Sequence, residues 1–215
     1  MTQSLLTEAE RQKLDASSDE LFYAHPRFVQ HLDGAFRSRL TQLYRERLKP
    51  GSVLLDLMGS WVSHLPEELS FGEVIGHGLN GQELAANPRF SRHFVQNLNV
   101  NQQLPLEDRC LDAVLIVAGW QYLQQPEAVA AELKRVLRGG GQLIVAFSNR
   151  MFAQKAPQIW LEGSDRDHLA YVAKVLAHGG WSIEAVIAED TKPEGPLGWL
   201  GGKGDPFFAV VAHRP

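Results

Sequence analysis

Apolar positions follow two rhythms along this chain. Short, mostly apolar runs bounded by Gly, Pro or acidic residues recur at SVLLDL (52–57), GEVIGHG (72–78), HFVQNL (93–98), LDAVLIVAG (111–119), GQLIVAFS (141–148), WSIEAVIAED (181–190) and FFAVVAHR (207–214). Runs of that length suit strands, and the most continuous of them suit strands buried on both faces of a parallel sheet. The second rhythm is helical. Within 26–48, Phe28, Leu32, Phe36, Leu40, Leu43 and Leu48 recur at roughly helical spacing, and Lys49-Pro50-Gly51 stops the run. The first fifty residues read as helical throughout, with Ser18 or Asp19 as a cap. Residues 80–90 suit a helix. PEAVAAELKRVLR (126–138) opens on Pro126 and Glu127, carries Lys134, Arg135 and Arg138 late, and meets Gly139-Gly140-Gly141 as a stop. A last helix spans 164–180, capped by Ser164 or Asp165. Residues 149–163 and 191–206 read as loops.

Strands alternate with helices until two consecutive strands close the chain. That order predicts an α/β fold with a Rossmann-like, seven-stranded, mostly parallel sheet, a terminal antiparallel hairpin at one edge and a helical N-terminal extension. Residues 1–50 form the extension or lid, and 51–215 the sheet domain.

Composition narrows the function classes. The chain has 215 residues and a formal net charge of −4, without the basic excess of a dedicated nucleic-acid binder. Its single cysteine, Cys110, excludes an intramolecular disulfide and a cysteine-rich zinc site. The histidines show no HExxH, so no metal is expected. No apolar run reaches the roughly 18–20 residues of a membrane span. The polar, acidic N-terminus does not read as a secretory signal, and the expected compartment is cytoplasmic.

In an open parallel sheet, ligands bind beyond the carboxyl ends of the strands, where strand order reverses. After the first strand stand Asp56, Gly59, Ser60 and Trp61, an acid-x-x-Gly turn able to present an amine-binding carboxylate; a plain turn-capping acid is the alternative. After the second, Gly76-His77-Gly78-Leu79-Asn80-Gly81 matches G-x-G-x-x-G. A dinucleotide fingerprint also wants an acid about 20 residues on, and Asn97-Leu98-Asn99 offers none. His64 and His77 follow strands and read as loop histidines without a role. Of the five tryptophans, Trp61 and Trp120 are the ones expected at a pocket.

The most distinctive stretch runs LPLEDRCLD, an apolar strand, a helix, RVLRGGG and another strand. In that order it resembles the class I S-adenosylmethionine-dependent methyltransferases of the type 11 group, over about residues 50–148. The strings DLMGSWVSHLP, HPRFVQHLD and FSNRMF further resemble a type 11-like group of photosynthetic organisms. The resemblance implies S-adenosylmethionine as cofactor and a small-molecule methyl acceptor as partner. It places Asp56, Gly59, Ser60 and Trp61 at the family's first motif. Gly78 falls where the family has its ribose-binding acid, beside Leu79 and Asn80. It puts Asn97, Leu98 and Asn99 near the adenine, and Gly119 at the methyl-donor site.

Because the cofactor supplies the electrophile, such an enzyme needs little of its own chemistry. It holds donor and acceptor roughly 3–3.5 Å apart in a dry site, and adds a base only for a poorly acidic acceptor. Candidate catalytic groups are His31, Gln121 and Tyr122, with Tyr23, Asp33, Asn149 and Arg150 also on the acceptor side. The missing acids keep two alternatives open: a catalytically inactive binding module of the same fold, and a nicotinamide-dependent oxidoreductase using GHGLNG.

Overall fold

The structure, a computed structural model, describes residues 5–191 and 204–215. Its centre is one seven-stranded sheet in the order β3-β2-β1-β4-β5-β7-β6. The strands are β1 (Val53–Leu57), β2 (Glu73–Gly78), β3 (Arg92–Val95), β4 (Leu111–Val117), β5 (Leu137–Phe147), β6 (Ser182–Glu189) and β7 (Phe207–His213). β1 through β5 pair in parallel, while β7 runs antiparallel between β5 and β6. The fold read from the pattern is therefore the one observed.

Neighbouring residues on the central strands feed opposite cores, as the period of two requires. Leu55, Val114, Val145 and Val210 join one cluster, and Leu54, Leu115, Ile144 and Val211 the other. The first cluster is covered by α4 (Pro126–Val136) through Val129, Leu133 and Val136, and by α6 (Asp165–His178) through Val172, Val175 and Leu176. The second is covered by α2 (Gly34–Arg47) through Phe36, Leu40, Leu43 and Tyr44. The remaining helices are short: α1 (Asp19–Phe22), α3 (Gly81–Ala85) and α5 (Gln158–Leu161).

Three expectations need correction. The first fifty residues are not helical throughout. α1 has four residues, and α2 begins only at Gly34, where the Asp33 side chain accepts the Phe36 N–H as a cap. Residues 5–18 and 23–33 run irregularly, and their backbone groups bond to distant parts of the fold. The triple glycine does not end α4 either. Leu137 is already in β5, and Gly139-Gly140-Gly141 lie within that strand. Gly140 has φ +74° and a Cβ on Gly141 would sit 2.9 Å from the Arg138 carbonyl, so these glycines absorb an irregularity in the ladder between Leu111 and Ala113. The third strand stops at Val95, because the Gln96 N–H turns to the Gly78 carbonyl and Asn97 opens a turn to Val100. Most of the 191–206 loop, including Lys203 and Trp199, lies outside the described residues.

Candidate active site

Strand order reverses between β1 and β4, and both chains leave the sheet there through left-handed residues. Met58 has φ 59° and Ala118 φ 50°. Neither is glycine, so each carries strain of the kind that collects at ligand sites. The two turns touch: a Cβ on Gly119 would lie 2.7 Å from Cβ of Met58. Above this point opens a cavity of about 660 Å³, a size that suits a small organic ligand. Its walls come from the turns after β1, β2, β3, β4 and β5 and from residues 19–32 of the N-terminal segment.

Most residues singled out from the sequence border this cavity: Asp56, Gly59, Ser60, Trp61, Gly78, Leu79, Asn80, Asn97, Leu98, Asn99, Gly119, His31, Gln121 and Tyr122, together with Tyr23, Asn149 and Arg150. Asp33 and Trp120 do not. Asp33 caps α2, and Trp120 is 1% exposed in the core. The reason is the 3-10 turn Trp120–Tyr122, whose first residue points into the sheet.

Asp56 is the most exceptional of these groups. Its carboxyl is 5% exposed and receives the Ser63 hydroxyl. No cation pairs with it among the described residues, and desolvation pushes its pKa up to about 6 despite that hydrogen bond. A buried, singly bonded carboxylate facing a cavity suits a cationic ligand group.

The second turn is tied to the first. Met58 N–H donates to Nδ1 of His77 at 3.1 Å, and Gly59 N–H donates to the His77 carbonyl at 2.7 Å. Nε2 of His77 then carries the proton and donates to the Gln96 carbonyl at 3.0 Å. Burial lowers this imidazole to about 4, so it is neutral at ordinary pH. His77 is thus no idle loop histidine: it joins β1, β2 and the turn after β3. Gly78 is forced by the same proximity. A Cβ there would stand 2.5 Å from the Gly59 carbonyl, so no side chain of any kind fits. Gly76 makes room for the Phe90 ring, 2.2 Å from where a Cβ would be. Gly76 and Gly78 therefore serve packing, whereas a Cβ on Gly81 would meet only Val95 at 3.5 Å.

A carboxylate does reach this wall from α3. Glu83 accepts the Ser60 hydroxyl on one oxygen and the Arg27 N–H, at 2.6 Å, on the other. Asn80 is committed elsewhere. Its oxygen caps α3 through Gln82 and Glu83, and its amide donates to the carbonyls of Tyr23 and Ala24. Asn99 is spent likewise, donating to Asp19 and the Tyr122 carbonyl and accepting the Gln124 N–H. Both amides hold the walls of the cavity together while bordering it. Asn97 spends only its oxygen, on the Asn99 N–H.

The acceptor side is aromatic and comes largely from the N-terminal segment. The Arg27 guanidinium lies 4.5 Å from the Phe22 ring centroid, and also near Tyr23 and Phe152. His31 stands edge-on to Phe152 at 5.6 Å, and desolvation together with Arg27 holds its pKa down. Desolvation, with Arg37 nearby, lowers the half-buried His64 to about 4. The Tyr122 hydroxyl accepts the Phe152 N–H at 3.0 Å, and burial raises its pKa. Gln121 donates to the Arg150 carbonyl. Beneath them Lys155, fully buried, pairs with Asp15 and bonds Ser17, while Asp19 takes Lys13. Arg27, Phe152 and Lys155 were not singled out; Arg27 and Phe152 lay only within the strings HPRFVQHLD and FSNRMF. Among the described residues, no His, Cys, Asp and Glu side chains cluster to hold a metal, and no helix is long and apolar enough to cross a membrane.

Comparison with known proteins bears on this cavity. Residues 59–145 match a family described as a methyltransferase domain, a span that contains both LPLEDRCLD and RVLRGGG. The chain is 27% identical over 182 residues to a demethylmenaquinone methyltransferase of Mycolicibacterium paratuberculosis, covering 77% of each chain. Among solved structures it superposes with TM-score 0.59 on a putative S-adenosylmethionine-dependent methyltransferase from Listeria monocytogenes, at 13% identity, over 85% of this chain and 100% of that one. It superposes with TM-score 0.60 on a Haloferax volcanii complex between the Trm112 methyltransferase activator and a putative methyltransferase, at 12% identity, over 84% of this chain and 90% of that one. The resemblance carried by LPLEDRCLD and RVLRGGG is borne out by the family match and by the shared fold.

Proposed function

Because residues 59–145 match the methyltransferase domain family on a fold shared with S-adenosylmethionine-dependent methyltransferases, we propose that this chain transfers a methyl group from that cofactor to a small-molecule acceptor. The observation that carries the reading is Asp56: a buried carboxylate without a cationic partner, facing the cavity at the strand switch point. It fits the cofactor's ammonium group. Glu83, with Ser60, takes the ribose hydroxyls in place of the acid that Gly78 has no room for. Asn97 and Leu98 border the adenine, and Gly119 lets the methyl donor approach the turn after β4. When bound, the cofactor supplies an electrophilic methyl group.

The chain's own residues do the rest. Residues 1–50 act as a lid over the domain formed by 51–215, with Tyr23, Arg27 and Phe152 closing the acceptor side against water. His31, kept neutral by its surroundings, serves as the base that removes the acceptor proton. Tyr122 and Gln121 orient the acceptor. The acceptor is a neutral or weakly acidic small molecule.

Calorimetric titration with S-adenosylhomocysteine tests the reading. One-to-one binding that Asp56→Ala weakens at least tenfold is expected; no binding by folded protein at millimolar ligand overturns it. One observation favours the non-catalytic alternative: His77 takes the turn amides of Met58 and Gly59, leaving fewer backbone donors for a ligand. Methyl transfer to any acceptor rules that alternative out.

A further inference from the structure

The mouth of the cavity is apolar where it meets solvent. Phe28 and Val29 are 51% and 53% exposed, and Met151 is 36% exposed. Phe28 stands edge-on to Trp61, with ring centroids 6.3 Å apart, and the Trp61 indole donates to the Val29 carbonyl at 3.2 Å. Val29, Trp61 and Met151 also line the cavity. The same side chains therefore form part of the inner wall and of the outer lip. Exposed apolar groups scattered singly need no explanation, but a group continuous with a pocket does.

Polar groups lie deeper. Gln121 and Tyr122 are buried and border the cavity, so a polar ligand head has partners there, with His31 nearer the mouth. A ligand with its head among them and length to spare leaves the cavity across Val29, Trp61 and Met151. From this continuity we propose that the acceptor is an amphiphile: a polar head methylated inside, and an apolar tail lying along the Phe28–Val29–Trp61–Met151 lip. This rests on the methyltransferase reading for what happens to the head, and on the lip geometry alone for the tail.

A graded series separates the two. With S-adenosylhomocysteine saturating, 4-alkylphenols from 4-methylphenol to 4-octylphenol are titrated into the full chain. Affinity is expected to rise about twofold or more per added CH₂. In the double variant Phe28→Ser, Val29→Ser that increment shrinks markedly, while affinity for 4-methylphenol and for S-adenosylhomocysteine stays as in the parent chain. Circular dichroism confirms that the variant is folded. Affinity that ignores tail length in the parent chain, or an increment identical in the variant, overturns the proposal. So does a dimer in the parent chain that the double variant dissociates, which would give the lip to a second copy. Binding to phosphatidylcholine vesicles without any dependence on phenol tail length also overturns it, in favour of a lipid surface. If S-adenosylhomocysteine does not bind but the alkyl increment persists and the variant removes it, the methyltransferase reading fails and the tail site stands.

Discussion

The imidazole of His77 accepts the backbone N–H of Met58 at 3.1 Å, across 19 positions of sequence. Met58 is one of the left-handed residues at the switch point, so the bond fixes a strained turn by way of a neutral ring. Protonating Nδ1 would abolish it. With a folded pKa near 4 against an ordinary 6.5, His77 binds fewer protons folded than unfolded. Its contribution, about 3 kcal/mol, is present above pH 6.5 and is lost as pH falls toward 4. Urea midpoints measured across that window should fall, and the fall should be shallower in His77→Leu, which is itself destabilised by about 2–4 kcal/mol.

Asp56 has the opposite sign. Its folded pKa near 6 lies above the unfolded value, so burial of its charge costs stability above pH 6 and the cost vanishes as pH falls toward 4. Asp56→Asn should therefore raise stability at pH 7 by about 1–3 kcal/mol and make acid destabilisation steeper. In the parent chain, S-adenosylhomocysteine affinity should climb between pH 5 and 7 and then level off. Calorimetry at fixed ionic strength reads both ends of that curve; a flat profile removes the Asp56 contact.

Restoring the family's acid at Gly78 should harm the protein. A Cβ there meets the Gly59 carbonyl at 2.5 Å and a Leu84 methyl at 3.3 Å. Gly78→Asp and Gly78→Ala should each lower stability by about 1–3 kcal/mol and weaken ligand binding. Thermal melts of the two variants should agree, since the backbone contact and not the charge is at fault.

In the proposed mechanism His31 removes the acceptor proton and does not hold the cofactor. His31→Gln should leave S-adenosylhomocysteine affinity within about twofold while lowering methyl transfer by roughly 10²–10⁴. The loss should appear in kcat more than in KM.

Lys155 locks the N-terminal segment to the loop after β5 through Asp15 and Ser17. Lys155→Met should cost about 2–3 kcal/mol, because Asp15 is partly exposed and the lost pair is screened on that side. Limited proteolysis should then cut within residues 5–18 first.

The sheet was legible because its central strands are buried on both faces, which leaves little but apolar residues in Leu54, Leu55, Val114 and Leu115. The cavity was legible for a related reason: the positions after parallel strands converge where the order reverses, whatever occupies them. Roles were harder to read. Asn80 and Asn99 are amides in the expected places, yet their partners Tyr23, Ala24 and Asp19 lie 57, 56 and 80 positions away. No local spacing reports such commitments. Residues 23–33 were read as helix from apolar spacing that tertiary bonds override, so Arg27 was missed. The glycine triplet was read as a stop because composition does not distinguish a terminator from a bulge.

The N-terminal segment is fixed at both ends. Arg11 pairs with Glu127 on α4, and at the other end Asp33 and Asp205 exchange backbone N–H bonds to each other's carboxylates. A span pinned twice does not swing aside like a hinged flap: between its anchors Arg27 meets Glu83 and Asn80 holds Tyr23, so the wall it gives the cavity is set before any guest arrives.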